Sequence, residues 1–337
     1  MNVRIGCSGF PRTKAEYYRK FPVVELSKTF YRMPSLGTAQ KWSFDAPPSF
    51  EFIVRARQVI THGLESQVYT KKQKKFFSEK DDRIGLFRPT EEVFKAWHET
   101  ETVAAAVKAK LILFSCPDDF APTGENITNA KTFFKGIDRK RFVPVFEPPY
   151  SWKDEEVLRF CMDMDLVHSA DPFKRKVIPS GEARYLRFSG MNGYKSKYKG
   201  WDLKLLRDFC EDLEAAYSKP VYTIFDNAYR MTDAERFAWI VANTGRTRHA
   251  GLGFFKEICR KIDVEEEDSR VERISREAEK IVALILHTDY QKVDIDIEKE
   301  KLRGLCLKFF PDKDYLYEMI YANRFERLWK QFREEEG

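Results

Sequence analysis

The stretch Val221-Tyr222-Thr223-Ile224-Phe225-Asp226-Asn227 is a run of strand-forming residues that closes with two polar side chains. Similar short runs recur through the first 230 residues, and most of them end in, or just before, polar or charged groups. The runs are mainly continuous rather than alternating, which is typical of parallel strands buried on both faces. Many strands that deliver polar groups to one rim predict a (β/α)8 barrel with a site at its carboxyl-terminal face.

Eight strands are predicted along this part of the chain, and helical patterns separate most of them. Alternating strands and helices favour an α/β protein with a closed barrel, the TIM-barrel fold, over an open doubly wound sheet. The predicted strands are Val3–Cys7, Val23–Leu26, Phe52–Ala56, Lys110–Ser115, Val143–Glu147, Asp165–His168, Ala183–Phe188 and Val221–Phe225.

The chain is long enough for one barrel of about 250 residues and an addition. We expect the barrel at residues 1–243 and a helical carboxyl-terminal appendage at residues 244–337. The appendage is predicted from the acidic run Glu265–Asp268 and the helical patterns that follow it. Residues 58–88 are too many for a simple loop, and their basic run Lys71–Lys75 predicts an excursion above the barrel rim.

The composition is that of an ordinary folded protein. Of 337 residues, 43% are hydrophobic and 33% charged, and the net charge of +6 permits an anionic partner without demanding one. The six cysteines form no C-x-x-C pair, which argues against zinc-knuckle and thioredoxin sites, and scattered single cysteines suit a reducing cytosol. No leader pattern and no run of 18 apolar residues occurs, so we expect a cytoplasmic protein with no membrane partner.

A series of short stretches occurs in a fixed order within residues 3–240. They are Ile5-Gly6-Cys7-Ser8-Gly9-Phe10, Val24-Glu25-Leu26-Ser27-Lys28-Thr29-Phe30-Tyr31, Ile60-Thr61-His62, Glu147 with Ser151-Trp152, Asp171-Pro172-Phe173, Tyr185-Leu186-Arg187-Phe188-Ser189-Gly190 and Phe225-Asp226-Asn227. Together they resemble the YecE-like family, known as domain of unknown function 72. The resemblance implies a TIM-barrel fold and a site at the barrel rim.

The tail and a few positions add detail to this resemblance. Met319-Ile320-Tyr321 and Arg324–Trp329 resemble the helical extension of archaeal members of the family. At six positions the chain has a different residue from the one usual in the family. It has Ser27 where the family tends to have Asn, Arg55 where Lys is usual, Ser115 where Gln is common, Pro149 in place of Arg, Ser189 in place of His and Asp226 in place of Asn.

Carboxylates at the ends of predicted strands are the main candidates for chemistry. Glu25 ends the second strand, Glu147 ends the fifth, and Asp226 follows the eighth. Paired carboxylates across a barrel mouth can divide acid and base roles. His62, after the third strand, could shuttle protons or bind a metal. The predicted catalytic residues are Glu25, Glu147, His62 and Asp226.

Two other interpretations of the same carboxylates stay open. Each acid could be held by an arginine, such as Arg55 or Arg187, in a structural network. Alternatively, Glu25, Glu147 and Asp226 could share a divalent metal ion, although no ligand-spaced motif such as H-E-x-x-H occurs.

The seventh strand and its loop give the clearest indication of the substrate. From Arg184 to Lys199 the chain has five basic residues and no acid, and Ser189–Gly193 supplies two glycines that free backbone N–H groups. Barrels commonly bind phosphate at the loops after strands seven and eight. A solvated basic loop is the alternative. The predicted substrate-binding residues are Arg55, Arg187, Ser189, Tyr31, Trp152, Tyr194, Tyr198 and Asn227.

These features together predict an enzyme that acts on a phosphate-bearing substrate, with DNA or RNA as candidates. Phosphodiester hydrolysis is favoured, by analogy of fold with endonuclease IV-like barrels, over an isomerase or lyase for small phosphorylated sugars. A non-catalytic nucleic-acid-binding protein is the alternative, and it would use Lys71–Lys75, the strand-seven loop and the basic last helix.

Overall fold

Eight parallel strands form a closed barrel in chain order. The structure, a computed structural model, describes residues 2–74, 82–139, 141–243, 273–288, 290–309 and 317–334. The strands are β1 (Val3–Ser8), β2 (Val23–Leu26), β3 (Glu51–Arg55), β4 (Leu111–Ser115), β5 (Val143–Glu147), β6 (Val167–Ala170), β7 (Arg184–Phe188) and β8 (Val221–Phe225). The barrel closes where β8 pairs with β1 in parallel, from Val221 opposite Val3 to Phe225 opposite Cys7. The predicted TIM-barrel fold is confirmed.

The side chains inside the barrel explain where the strand ends point. A buried core cluster contains Val23 of β2, Ile53 of β3, Val145 of β5, Tyr185 of β7 and Ile224 of β8. Successive side chains of a strand point to opposite faces, so the residue two positions further on shares the face of the first. The next inward positions are therefore Glu25, Arg55, Glu147, Arg187 and, just past the end of β8, Asp226.

Helices connect the strands and cover the outside of the barrel. The helix Glu91–Ala106, which precedes β4, is capped by Thr90, whose side-chain oxygen accepts a hydrogen bond from the Val93 N–H. Its first turn carries Glu91 and Glu92. The helices of the barrel unit are Lys14–Lys20, Leu36–Asp45, Gln58–Thr61, Lys71–Lys74, Glu91–Ala106, Gly124–Gly136, Asp154–Met164, Gly200–Tyr217 and Arg230–Asn243, with a 3-10 turn at Ser27–Phe30.

One strand differs clearly from its prediction. The predicted sixth strand, Asp165–His168, is shifted by two residues to Val167–Ala170. Asp165 adopts a left-handed conformation with φ 48° and caps the helix Asp154–Met164, so the strand cannot begin there. His168 consequently lies inside the strand, where its Nδ1 accepts a hydrogen bond from the Ile178 N–H at 3.1 Å, and not at the rim.

The chain divides into two compact units, residues 1–258 and 259–337. The second unit has helices at 273–287, Lys292–Phe309 and Asn323–Trp329, the last flanked by π-helical turns at Glu318–Ala322 and Lys330–Glu334. Its own buried cluster includes Ile281, Leu302 and Phe325. Extra carboxyl-terminal helices are therefore present, while the boundary at residue 243 stays a prediction.

Some predicted features lie wholly or partly outside the described residues. Lys71–Lys74 forms one helical turn, whereas the rest of that basic run and the acidic run Glu265–Asp268 are not described. Within the described part of the chain, no helix combines the length and apolar character needed to cross a membrane.

Candidate active site at the barrel mouth

The guanidinium of Arg187 lies at the centre of the barrel mouth and joins carboxylates from three other strands. Its Nε and Nη2 donate to the two oxygens of Glu25 at 3.0 and 3.2 Å. Nη1 donates to both oxygens of Glu147 at 3.3 and 3.4 Å, and Nη2 also donates to Asp226 Oδ2 at 2.6 Å. All three nitrogens of the guanidinium thereby donate to carboxylates. The structure thus brings Glu25, Glu147, Asp226 and Arg187 together, as expected from the strand ends.

Glu25 is the buried anchor of this cluster. The residue is fully buried. Besides Arg187, its carboxylate accepts hydrogen bonds from Ser8 Oγ and Tyr185 Oη, both at 2.9 Å. Burial alone would raise the pKa of Glu25, but the charge and hydrogen bonds of Arg187 hold this pKa below its usual value. Glu25 therefore has no surface with which to touch a substrate, and it fixes the guanidinium plane.

Glu147 and Asp226 are the accessible carboxylates of the cluster. Their side chains are 23% and 29% exposed, whereas the Arg187 side chain between them is 8% exposed. Ser115 Oγ donates a short hydrogen bond to Glu147 Oε2. These carboxylates, together with Glu25, raise the pKa of Arg187 well above its usual value although burial opposes the rise. Two carboxylates that face solvent across one fixed cation can give or accept protons at a bound substrate.

Arg55 differs from Arg187 because no described residue accepts a hydrogen bond from its guanidinium. It ends β3, is half-buried, and lies with its Cζ 4.0 Å from the centre of the Phe30 ring. Its backbone is fixed by Thr29, whose Oγ1 donates to the Arg55 carbonyl at 2.7 Å. Within the described residues the Arg55 side chain has no hydrogen-bond partner, and its Nε is buried. Burial and the neighbouring charge of Arg187 lower the pKa of Arg55.

His62 packs edge-on against Phe30 and is buried. It is 6% exposed, its ring centroid is 5.0 Å from that of Phe30, and its Nδ1 is 2.8 Å from Thr61 Oγ1. Burial, with the positive charge of Arg55 nearby, lowers the pKa of His62 to about 4. The imidazole is therefore neutral at pH 7, which makes it a poor general acid there.

Ser189 joins the mouth to a second polar cluster. Ser189 Oγ accepts a hydrogen bond from Lys174 Nζ at 2.7 Å, and the same ammonium lies 3.6 Å from Asp171 Oδ2. Burial raises the pKa of Asp171 to about 6, against the charge of Lys174. Sequence reasoning did not select Lys174, although its position three residues after the Asp171 of a family stretch was an available signal.

Two predicted substrate-binding residues are occupied by structural hydrogen bonds. Trp152 is 2% exposed, and its Nε1 donates to the Phe120 carbonyl at 2.7 Å. Asn227 is fully buried, and its Nδ2 donates to the Ser196 carbonyl at 2.7 Å and to Asp233 Oδ2 at 2.8 Å. Neither side chain reaches the mouth, because each closes a loop against its neighbour.

The predicted tyrosines divide into one buried and two exposed residues. Tyr198 is 1% exposed; its Oη accepts from the Gly190 N–H at 2.9 Å and donates to Asp171. Gly190 has φ +92°, and a Cβ there would lie 2.3 Å from the Gly193 carbonyl oxygen, so this loop requires glycine. Tyr31 and Tyr194 are 49% and 55% exposed and can touch a ligand.

The carboxylates do not fit a divalent metal ion in this arrangement. The predicted ligands Glu25, Glu147 and Asp226 all point at the Arg187 guanidinium, which places a positive charge at their common centre. Among the described residues no group of three or more His, Cys, Asp and Glu side chains is arranged to hold a metal.

The chain matches a known protein family over most of its length. The family described as "Protein of unknown function DUF72" matches residues 10–251. The chain belongs to the DUF72 family. Because the match ends at residue 251, the helices from residue 273 onward lie beyond it, and their assignment to archaeal members stays a prediction. No curated protein matches the chain.

Solved structures of DUF72 proteins share the barrel. A DUF72 family protein from Enterococcus faecalis is 19% identical, with a TM-score of 0.55 over 72% of this chain and 98% of that one. A DUF72 family protein from Thermotoga maritima is 20% identical, with a TM-score of 0.53 over 72% of this chain and 100% of that one. At these identities the similarity concerns the fold.

Proposed function

We propose that this DUF72 protein is an enzyme that binds the phosphate group of its substrate at Arg55 and uses Glu147 and Asp226 as its acid–base pair. The observation that carries the proposal is the Arg55 guanidinium, half-buried at the mouth with no side-chain hydrogen bond among the described residues. Leaving such donors unpaired is costly. An oxyanion is the ligand that the planar guanidinium fork matches.

Arg187 and Glu25 act as positioning residues in this proposal. Every nitrogen of Arg187 already donates to a carboxylate, and the side chain is only 8% exposed, so we assign it no direct contact with the substrate. Its fixed charge holds Glu147 and Asp226 in place, and the buried Glu25 holds Arg187. Arg187 therefore orients the catalytic carboxylates, whereas Arg55 binds the anion.

Charge balance links anion binding to proton uptake. Three carboxylates (Glu25, Glu147, Asp226) face two guanidiniums (Arg55, Arg187), which leaves one net negative charge before a substrate arrives. A phosphate group entering beside Arg55 adds negative charge next to the two exposed carboxylates. Like charges in one site favour protonation of one of them. The protonated carboxyl is then the general acid, and the other carboxylate is the general base.

Phosphodiester hydrolysis is the reaction that we favour. The carboxylate accepts a proton from water, the water oxygen forms a bond to phosphorus, and the bond from phosphorus to the leaving oxygen breaks. The leaving oxygen takes the proton of the carboxyl group. Each positioned acid or base contributes about 10²–10⁴-fold to the rate.

The assay uses bis(4-nitrophenyl) phosphate, a small diester, between pH 5 and 9. We expect Glu147→Gln to lower kcat by about 10²-fold or more. We expect Arg55→Met to raise KM by about tenfold or more, since a charge-assisted contact contributes about 1.5–3 kcal/mol. Glu182→Gln, which removes an exposed carboxylate paired with Lys219, is the matched control and should have no effect.

The proposal fails if wild-type and Glu147→Gln proteins hydrolyse the diester equally. It also fails if Arg55→Met leaves KM unchanged. If the diester is untouched but a small phosphorylated sugar is isomerised with the same dependence on Arg55 and Glu147, the anion site stands and the hydrolytic reaction is wrong.

A further inference from the structure

A cationic groove lies beside the mouth, formed by the loops that follow β1 and β2. This β1–β2 groove has a cavity volume of about 870 Å³, within the range of about 300–1,000 Å³ that is usual for ligand sites. Its walls carry Arg12, Lys14, Lys28 and Arg32, and no aspartate or glutamate of the described chain lines it. None of these residues was selected from the sequence, because the cations come from two separate loops without a shared motif.

The cations of the groove are available to a ligand. Arg12, Lys28 and Arg32 are exposed, and within the described part of the protein they make no ion pair or side-chain hydrogen bond. Lys14 Nζ lies over the Trp42 ring at 4.5 Å from its centroid. Four cations on one concave surface without carboxylate partners attract a polyanion, because each contact releases a counterion.

Aromatic surface accompanies the charge. Tyr31 is 49% exposed at the groove, and its ring is held edge-on by Phe30 with centroids 5.0 Å apart. Phe10 and Trp42 line the same cavity. A held aromatic ring among cations is the surface on which the bases of single-stranded nucleic acid stack. A peptide of acidic residues would use the charges but not the exposed ring face.

One turn of the chain links the groove to the proposed anion site. Its floor is the 3-10 turn Ser27–Phe30, which presents Lys28 to the groove and Phe30 to the guanidinium of Arg55. Thr29 ties this turn to the end of β3 by donating to the Arg55 carbonyl and accepting from the Arg55 N–H. The N–H of Gly9 donates to the Glu25 carbonyl at 2.7 Å and closes the inner end of the groove.

We infer that the β1–β2 groove binds a single-stranded nucleic-acid segment that leads to the phosphate at Arg55. Successive phosphates contact Lys28, Arg32 and Arg12, and an unpaired base stacks on Tyr31. The inference rests on the proposed function in one respect, that the bound strand ends at the same anion site. It names the substrate class as single-stranded polynucleotide and gives the enzyme a binding surface outside its catalytic groups.

The test measures fluorescence anisotropy of a labelled 12-nucleotide single strand with the full-length protein over a salt series. We expect Lys28→Gln with Arg32→Gln to weaken binding and to reduce the slope of log K against log salt by about 1.4, at about 0.7 per lost phosphate contact. We expect Tyr31→Ala to weaken binding about tenfold or more through lost stacking. The matched control is Lys95→Gln with Lys204→Gln, which removes two exposed cations from outer helices and should leave the slope unchanged.

Hydrolysis of bis(4-nitrophenyl) phosphate by the same variants separates this inference from the proposed function. The groove is supported if Lys28→Gln with Arg32→Gln loses strand binding but hydrolyses the small diester like wild type. It is wrong if the control pair weakens binding as much as the groove pair. It is equally wrong if a duplex, poly-glutamate or anionic vesicles bind with the same groove dependence and equal affinity. Strand binding through the groove without diester hydrolysis would support the groove and refute the hydrolytic reaction.

Discussion

Removal of the central guanidinium, by Arg187→Met, is the perturbation whose cost follows most directly from the structure. Among the described residues, the substitution leaves the fully buried Glu25 with Ser8 and Tyr185 as its side-chain hydrogen-bond donors and removes its ion-pair partner. Breaking a buried ion pair in this way costs about 3–5 kcal/mol. Since the whole free energy of unfolding of such proteins is about 5–15 kcal/mol, the loss is large enough to measure in any urea titration.

The loss should depend on pH in a defined direction. In the wild type the pKa of Glu25 lies below its unfolded value of about 4.3. Ionised Glu25 therefore stabilises the folded protein above that pH, and this stabilisation is lost as pH falls. Without Arg187, burial is the leading influence and raises the pKa of Glu25 in the folded variant. The variant then loses stability as pH rises from about 4 to 7, so its difference from wild type widens over this range.

Urea unfolding followed by tryptophan fluorescence at pH 4 and pH 7 measures both effects. The double variant Glu25→Gln with Arg187→Met removes the buried charge itself, and we expect it to be more stable at pH 7 than Arg187→Met by at least about 1 kcal/mol. Arg57→Met breaks the partly exposed pair with Glu99 and should cost less than about 1 kcal/mol. If Arg187→Met costs no more than Arg57→Met, or if its cost is the same at both pH values, the buried-anchor role of Glu25 is wrong.

Two further predictions concern residues that sequence reasoning placed in the site. The pKa of His62 is about 4 in the folded protein and about 6.5 in the unfolded chain. Its contribution to the free energy of unfolding is therefore fully present above pH 6.5 and is lost as pH falls toward 4. Between pH 6.5 and 4, the His62→Gln variant should lose less unfolding free energy than wild type, by up to about 3 kcal/mol, as measured by thermal or urea unfolding. His98→Gln is the control, because the His98 side chain is 80% exposed, and it should lose as much as wild type. Asn227→Ala should destabilise the protein by about 1–3 kcal/mol by depriving the buried Asp233 of a donor. It should leave phosphate affinity unchanged, and a loss of affinity at unchanged stability would show instead that Asn227 contacts the ligand.

The strand ends could be predicted from the sequence because two independent patterns coincide there. Continuous apolar runs indicate buried parallel strands, and the two-residue period then directs Glu25, Glu147 and Arg187 to the same inner face as the core residues before them. The closed order of the barrel places those ends around one mouth. Strand alternation and strand order are enough to place residues that lie on strands.

The roles of those side chains could not be predicted, because they depend on partners from other strands. Nothing in the sequence distinguishes Arg187, whose three nitrogens all donate to carboxylates, from Arg55, whose side chain has no hydrogen-bonded partner in the described structure. Loop residues are harder still. Trp152 and Tyr198 follow strands as pocket residues do, but the carbonyl of Phe120 and the N–H of Gly190 draw them into the packed interior.

The most direct test of the anion site is calorimetric titration of wild-type and Arg55→Met proteins with inorganic phosphate, in two buffers of different ionisation enthalpy. We predict that wild-type protein binds phosphate with uptake of up to about one proton. We predict that Arg55→Met binds about tenfold or more weakly and that its proton uptake disappears. Equal affinity and equal proton uptake in the two proteins would contradict the assignment of Arg55 as the group that receives the substrate's phosphate.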